Sequence, residues 1–233
     1  MKNKLTVKKI MPIAAIILVL VVVYLSFVSN CTYKDGGFYM GTSVSVENRG
    51  KDNFNQQMLK SIDELDNKIS TTKSESEISK LNELKKYEVS DETLKLIKKS
   101  IELSEMTNGQ FDITAGRLIS LWDFNSGKNE IPSESKINSA LNTVGYKNIE
   151  INGNTVVLKN NTQIDLGAVG KGTACDEAIN VLSEKETGIV SVGGSIGVLG
   201  KSQKIGIRDP KGSVNEYFAT INVDNGFVST SGN

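Results

Sequence analysis

The sequence predicts an α+β fold, with mixed β-sheets flanked by helices, behind an N-terminal membrane anchor. Two stripes with helical spacing occupy the first half: Phe54, Met58, Ile62, Leu65 and Ile69, then Leu94, Ile97, Ile101 and Leu103. Short apolar or alternating runs, punctuated by Asn-Gly and Gly-Gly, crowd the second half. Behind the anchor about 200 residues remain, enough for one domain with a core of its own.

Composition narrows the function. The chain carries 27 basic and 27 acidic residues, and no basic stripe suggests a nucleic-acid partner. Histidine is absent, which removes the commonest general base and metal ligand. A metal here would be held through oxygen, so Mg²⁺ or Ca²⁺ suits it better than Zn²⁺. The two cysteines, Cys31 and Cys175, make neither a zinc spacing nor a disulfide framework. Cys175 reads as a small buried hydrophobe.

Residues 1–31 read as the anchor. Lys2, Lys4, Lys8 and Lys9 precede an uncharged run of 19 residues from Ile10 to Val28. That is long enough to span a bilayer, and the lysines place the N-terminus in the cytoplasm with the remainder outside. A cleaved signal peptide is the alternative. Val28-Ser29-Asn30-Cys31 is similar to a lipoprotein processing box, which makes Cys31 a candidate for lipidation. Each version tethers the domain to the cell membrane on its extracytoplasmic side.

Residues 32–37 read as a polar linker and 38–233 as the domain. Met40, Thr42, Val44 and Val46 alternate as a strand. The first helical stripe follows, then a Ser/Thr-rich loop from Ser70 to Ser76 and a short helix with Ile78 and Leu81 on one side. Ser90 is placed to cap the second long helix, and Asn108-Gly109 to stop it. Ser133, after Pro132, opens another helix that Gly145 closes. Asn152-Gly153-Asn154 joins two hairpin strands, and Asn225-Gly226 reads as a further hairpin turn. Ile189 to Val192, Ile196 to Leu199, Ile205 to Ile207 and Tyr217 to Val223 read as strands.

The stretch from Ile164 to Ala174, IDLGAVGKGTA, organises the rest. It reads as strand, glycine loop and helix N-terminus. Such an end offers unpaired N–H groups and a partial positive charge to a phosphate, and Lys171 adds a point charge. Asp165 could take a ribose hydroxyl or a metal. The spacing is not that of a P-loop, which requires four residues between its first glycine and Gly-Lys.

Six stretches, in order, resemble the ApbE-type FAD:protein FMN transferases. They are Met40-Gly41-Thr42; Ser76 to Asn82; Gly109 to Thr114 with Leu121-Trp122-Asp123-Phe124; Asp165 to Gly172 with Asp176; Val192-Gly193-Gly194; and Ser229 to Gly232. The resemblance implies an enzyme that cleaves FAD between its phosphates with Mg²⁺. It would attach FMN to a threonine or serine of a target protein and release AMP. It implies flavin contacts from Met40, Gln110, Phe111, Asp112, Asp165 and Lys171, and a Mg²⁺ ligand in the Ala168 backbone carbonyl. The expected acceptors are flavin-carrying subunits of membrane redox complexes. Two positions depart from the family: Thr72 stands where a tyrosine is usual, and Ser195 follows Gly193-Gly194 in place of an aspartate. The family's remaining Mg²⁺ ligands and its histidine motif are expected beyond residue 233, so the domain reads as missing its C-terminal part. A non-catalytic flavin-binding protein of the same fold, or a surface lipoprotein, are the alternatives.

Overall fold

The computed structural model describes residues 15–24, 31–122, 130–182, 186–213 and 216–231. Its strands are β1 (Cys31–Tyr39), β2 (Thr42–Gly50), β3 (Lys86–Glu88), β4 (Ile149–Asn152), β5 (Thr155–Leu158), β6 (Thr187–Val192), β7 (Ser195–Leu199), β8 (Gln203–Arg208), β9 (Tyr217–Val223) and β10 (Gly226–Ser229). From residue 31 on, its described helices of four or more residues are α1 (Asn55–Ile69), α2 (Glu77–Leu84), α3 (Asp91–Met106), α4 (Gly116–Ile119), α5 (Glu134–Leu141) and α6 (Gly167–Asn180). Residues 15–24 are also helical, with Ile16, Leu18 and Tyr24 exposed. Among the described residues no helix is long and apolar enough to cross a membrane. Residues 10–14 and 25–28 of the expected span lie outside the described residues.

The chain divides into two compact units. One contains Thr42–Lys60 and Cys175–Asn233 with the chain up to Phe38; the other contains Tyr39–Gly41 and Ser61–Ala174. Each has buried apolar residues of its own, Val44 and Val190 in the first and Ile78 and Ile97 in the second.

In the first unit five strands form one sheet in the order β1-β2-β6-β7-β10. Val44 and Val46 of β2 and Val190 and Val192 of β6 are buried, as alternation requires. Val44 pairs with Val192 and Val46 with Val190 across the antiparallel ladder. The stretch 32–37, expected as a linker, belongs to β1. Its residues are mostly exposed, so no apolar period marks it; pairing with β2 makes it a strand. Asn225-Gly226 does not close a β9–β10 hairpin. β9 pairs with β8 in a separate two-stranded sheet, and β10 pairs with β7. Asn225, at φ 40°, accepts a hydrogen bond from Gly200 N at 2.5 Å through its side-chain oxygen.

The turn between β6 and β7 is tight. Gly193 has φ 58°, and a Cβ on Gly194 would stand 2.3 Å from the Thr230 carbonyl oxygen. Gly194 O also accepts from Thr230 N at 2.9 Å. Cys175 is buried, as the sequence predicts, and burial pushes its thiol up to about 11, so it stays protonated at neutral pH.

In the second unit the helices form where their caps say they should. Ser76 and Ser90 precede α2 and α3, and each side chain accepts from the backbone N–H three residues on. Ile62, Ile78, Leu81 and Ile97 are fully buried. The second stripe is corrected at its far end. Ile101 and Leu103 are half-exposed, while Ser100 and Ser104 take the buried positions. Those serines satisfy themselves by donating to the carbonyls four residues back, Leu96 O and Ser100 O. β3, β5 and β4 make a small antiparallel sheet whose β4–β5 turn falls at Asn152-Gly153-Asn154.

Met40 is not a strand residue. With Gly41 it forms the two-residue turn after β1, at φ 52° and 70°. Positive φ at both central positions is the mark of a type I′ hairpin turn. The glycine stretch also differs from expectation: it is helix, not loop, and α6 begins at Gly167. Only a lone parallel bridge, Ala115 to Gln163, stands where a strand was expected before it. The glycines allow close packing instead. A Cβ on Gly170 would meet Ile69 Cδ1 at 2.9 Å and Met40 Cε at 3.2 Å.

Candidate functional site

Within the second unit a cleft of about 580 Å³ opens beside the start of α6. Four segments wall it: Thr71 and Thr72; Ser79, Asn82 and Glu83; Gly116, Ile119 and Ser120; and Gln163, Ile164 and Asp165. Its volume is in the range of small-molecule sites.

Each wall is held locally. The loop bearing Thr71 and Thr72 is pinned at Ser70, whose carbonyl accepts from the hydroxyls of both Ser76 and Ser79. Ile164 is fully buried without a regular strand beside it. The Asn82 amide replaces that strand: its Nδ2 donates to Ile164 O and its Oδ1 accepts from Ile164 N, both at 2.8 Å. Asp165 N then donates to Ile113 O at 2.8 Å. Gly116 lies so close to this strand-like segment that a Cβ would stand 2.9 Å from Gln163 O.

The lining mixes hydroxyls, amides and two carboxylates, Glu83 and Asp165, with the apolar Ile119 and Ile164, and no lysine or arginine is among the residues that wall it. Asp165 Oδ1 accepts from Gly167 N at 2.6 Å, the first N–H of α6. That places a carboxylate at the positive end of the helix, where it is favoured. Nearby, Lys85 donates to Thr162 O at 3.0 Å, and burial together with the Arg117 charge lowers its pKa.

Of the six residues for which the resemblance implies flavin contacts, Asp165 alone lines the cleft; Thr72, and Ser79 and Asn82 of the Ser76–Asn82 stretch, line it as well. Met40 lies against Gly170, and its N–H donates to Asp66 Oδ2 at 3.4 Å. Gln110 is exposed in the turn after α3, and Phe111 N donates to Thr107 Oγ1 at 3.1 Å. Asp112 is occupied by its own loop. Its Oδ1 accepts from Thr114 N at 2.8 Å and Thr114 Oγ1 at 2.6 Å, and its Oδ2 from Tyr146 N at 2.8 Å. Lys171 is half-exposed on the second turn of α6, and Ala168 is exposed on the first. Thus Asp165 and the Gln110–Asp112 segment are joined through Ile113, while Gln110, Phe111 and Lys171 are not on the wall. Asp123, Phe124 and Gly232 lie outside the described residues. Cys31 opens β1 and is in no disulfide.

Among the described residues no three Asp, Glu, His or Cys side chains gather as a metal-ligand group. The Ala168 carbonyl belongs to a helical turn, whose geometry directs it along the axis. These residues alone do not constitute a Mg²⁺ site. Sequence reasoning missed Asn82, Glu83, Gln163 and Thr71 as cleft residues. Only Asn82 carried a signal, as the last residue of the Ser76–Asn82 stretch.

Comparison with known proteins places the chain. Residues 40–233 match the model of the ApbE family. A FAD:protein FMN transferase of Buchnera aphidicola (subsp. Schizaphis graminum) is 30% identical over 187 residues, covering 73% of this chain and 55% of that protein. The FAD:protein FMN transferase of Escherichia coli K12 is 24% identical, covering 84% and 61%. A crystal structure of the ApbE protein from Thermotoga maritima superposes with a TM-score of 0.80 at 33% identity, over 87% of this chain and 71% of that one. The flavin transferase ApbE of Vibrio cholerae shares the fold at TM-score 0.76 and 24% identity, over 88% and 72%. The chain spans little more than half the length of the Buchnera relative. With the match extending from Met40 through the cleft to residue 233, this chain belongs to the ApbE family.

Proposed function

We propose that the chain binds FAD and takes part in transferring its FMN half to a threonine or serine of an acceptor protein. One observation carries the reading: in a chain of this family, Asp165 sits on the wall of a cleft of mixed polar and apolar lining at the start of α6. Such a lining offers hydroxyls and amides to the hydrogen-bonding groups of a flavin nucleotide and isoleucines to its apolar ring faces. In the transfer, the acceptor oxygen bonds to the FMN phosphorus and the bond from that phosphorus to the bridging oxygen breaks. AMP leaves with the bridging oxygen, and the hydroxyl proton passes to solvent. Mg²⁺ belongs to the proposal as the charge that neutralises the pyrophosphate. Among the described residues no ligand group gathers to hold it, and the Ala168 carbonyl lies in the first turn of α6.

The test mixes the full chain, FAD, Mg²⁺ and a threonine-bearing acceptor, and follows in-gel flavin fluorescence with release of AMP. FAD binding is expected, and any flavinylated acceptor should be matched by an equal amount of AMP. No FAD binding at all would overturn the reading. Binding without transfer, to an acceptor that a longer relative does modify, would favour a flavin-binding protein. Ser195, standing where the family has a carboxylate, favours that second reading.

We also propose that residues 1–31 tether the protein to the cell membrane with the flavin site outside, where flavin-carrying subunits of redox complexes would be its acceptors. The uncharged run from Ile10 to Val28 and the exposed apolar side chains of 15–24 support it. The full chain should fractionate with membranes, and removal of residues 1–31 should release it. Continued membrane association of the shortened chain would show a different anchor.

A further inference from the structure

We propose that Asp66 is a positioning residue of the flavin site, setting Met40 and the cleft loop at Thr71-Thr72 from one buried oxygen. The inference rests on the FAD-binding reading above. Asp66 lies in the last turns of α1 and is only 8% exposed. Its Oδ2 accepts from Lys73 Nζ at 2.6 Å and from Met40 N at 3.4 Å. Lys73 directly follows the two cleft threonines. Its ammonium is held further by Asn67 Oδ1 at 2.7 Å and reaches Asp63 Oδ1 at 3.8 Å.

The two groups meeting at Asp66 need outside support. Met40 holds φ 52°, a conformation that a residue with a Cβ adopts only when its surroundings impose it. Thr71 and Thr72 lie in a loop, where side-chain direction depends on the anchors at either end. Ser70 is one anchor, through Ser76 and Ser79. Lys73 is the other, and its shortest bond is to Asp66. The Met40 methyl lies against Gly170 of α6, two residues beyond Ala168. A shift of the Asp66 carboxylate therefore moves a flavin-facing loop and the side chain over the glycine helix together. A partly buried, charge-assisted bond between Asp66 and Lys73 has the directionality such a role requires.

Asp66→Asn and Lys73→Met each break the charged pair, while Lys73→Arg retains it. FAD affinity, read from quenching of flavin fluorescence by the full chain, should fall on the order of 10-fold in the first two, the usual scale for losing one charge-assisted pair. It should be largely retained in Lys73→Arg, and the double variant should be no worse than either single one. Hydrogen exchange without FAD should rise at residues 38–41 and 70–74 together in Asp66→Asn. That joint response separates positioning from a general loss of stability, which thermal melting reports. Normal FAD affinity in Asp66→Asn, with the wild type binding FAD, would overturn this inference alone. Failure of the wild type to bind FAD would overturn the function proposed above, and this inference with it.

Discussion

Replacing Asn82 with alanine is expected to destabilise the chain by about 2–5 kcal/mol, because it leaves two buried backbone groups without partners. Ile164 is fully buried, and its N–H and C=O both pair with the Asn82 side chain. Asn82 and Ile164 both line the cleft, so water admitted there recovers part of the loss, and the upper end of the range is the cost with none admitted. The melting temperature should fall by roughly 5–15 °C on the scale of a chain this size. Asn82→Asp is a sharper test. It retains the acceptor for Ile164 N but sets a carboxylate oxygen against Ile164 O, so it should be as damaging as alanine or worse. Because Asp165 follows Ile164 on the cleft wall, both variants should also weaken FAD binding under conditions where they remain folded. A loss below 1 kcal/mol for both, measured by urea unfolding, would show that Asn82 is not the brace.

Asn82 also shows what a sequence conceals. The helices were legible because caps and stripes are local: Ser76, Ser90 and the 3.6-residue period announce α2, α3 and α1. The β4–β5 hairpin was legible for the same reason, through Asn152-Gly153-Asn154. The pairing of Asn82 with Ile164 joins residues 82 positions apart, and no period or spacing encodes it. The glycine stretch misled for a related reason. Glycines favour a loop locally, yet Gly170 lies within α6, where the absence of a Cβ leaves room for Ile69 and Met40. β1 was invisible because an exposed strand has no apolar alternation, and only its neighbour β2 makes it one. The ordered motifs identified the family, while the residues that shape the cleft are mostly polar ones at unremarked positions, such as Gln163 and Glu83.

Asp112 yields the second large effect, and it separates two roles that the family resemblance merges. Both carboxylate oxygens are engaged within the chain, by Thr114 N, Thr114 Oγ1 and Tyr146 N. Thr114 is buried, and its hydroxyl, while donating to Asp112, accepts from Gly145 N at 2.7 Å. The carboxylate thus ties the Gln110–Thr114 segment to the turn at Gly145-Tyr146. Asp112→Ala removes three bonds to a charged acceptor and should cost about 3 kcal/mol or more. Asp112→Asn retains one oxygen and presents an NH₂ to the other donor or donors, so its cost should fall between alanine and wild type. If bracing is the whole of its role, Thr114→Val, which breaks the same network without touching Asp112, should weaken FAD binding in proportion to its own loss of stability. The Asp112 variants should then fall on that same line. If Asp112→Asn abolishes FAD binding while its unfolding midpoint stays near that of Thr114→Val, which still binds, the carboxylate itself meets the flavin nucleotide. The segment would then have to open its bonds to Thr114 or Tyr146 when FAD enters, and those amides would lose hydrogen-exchange protection on binding.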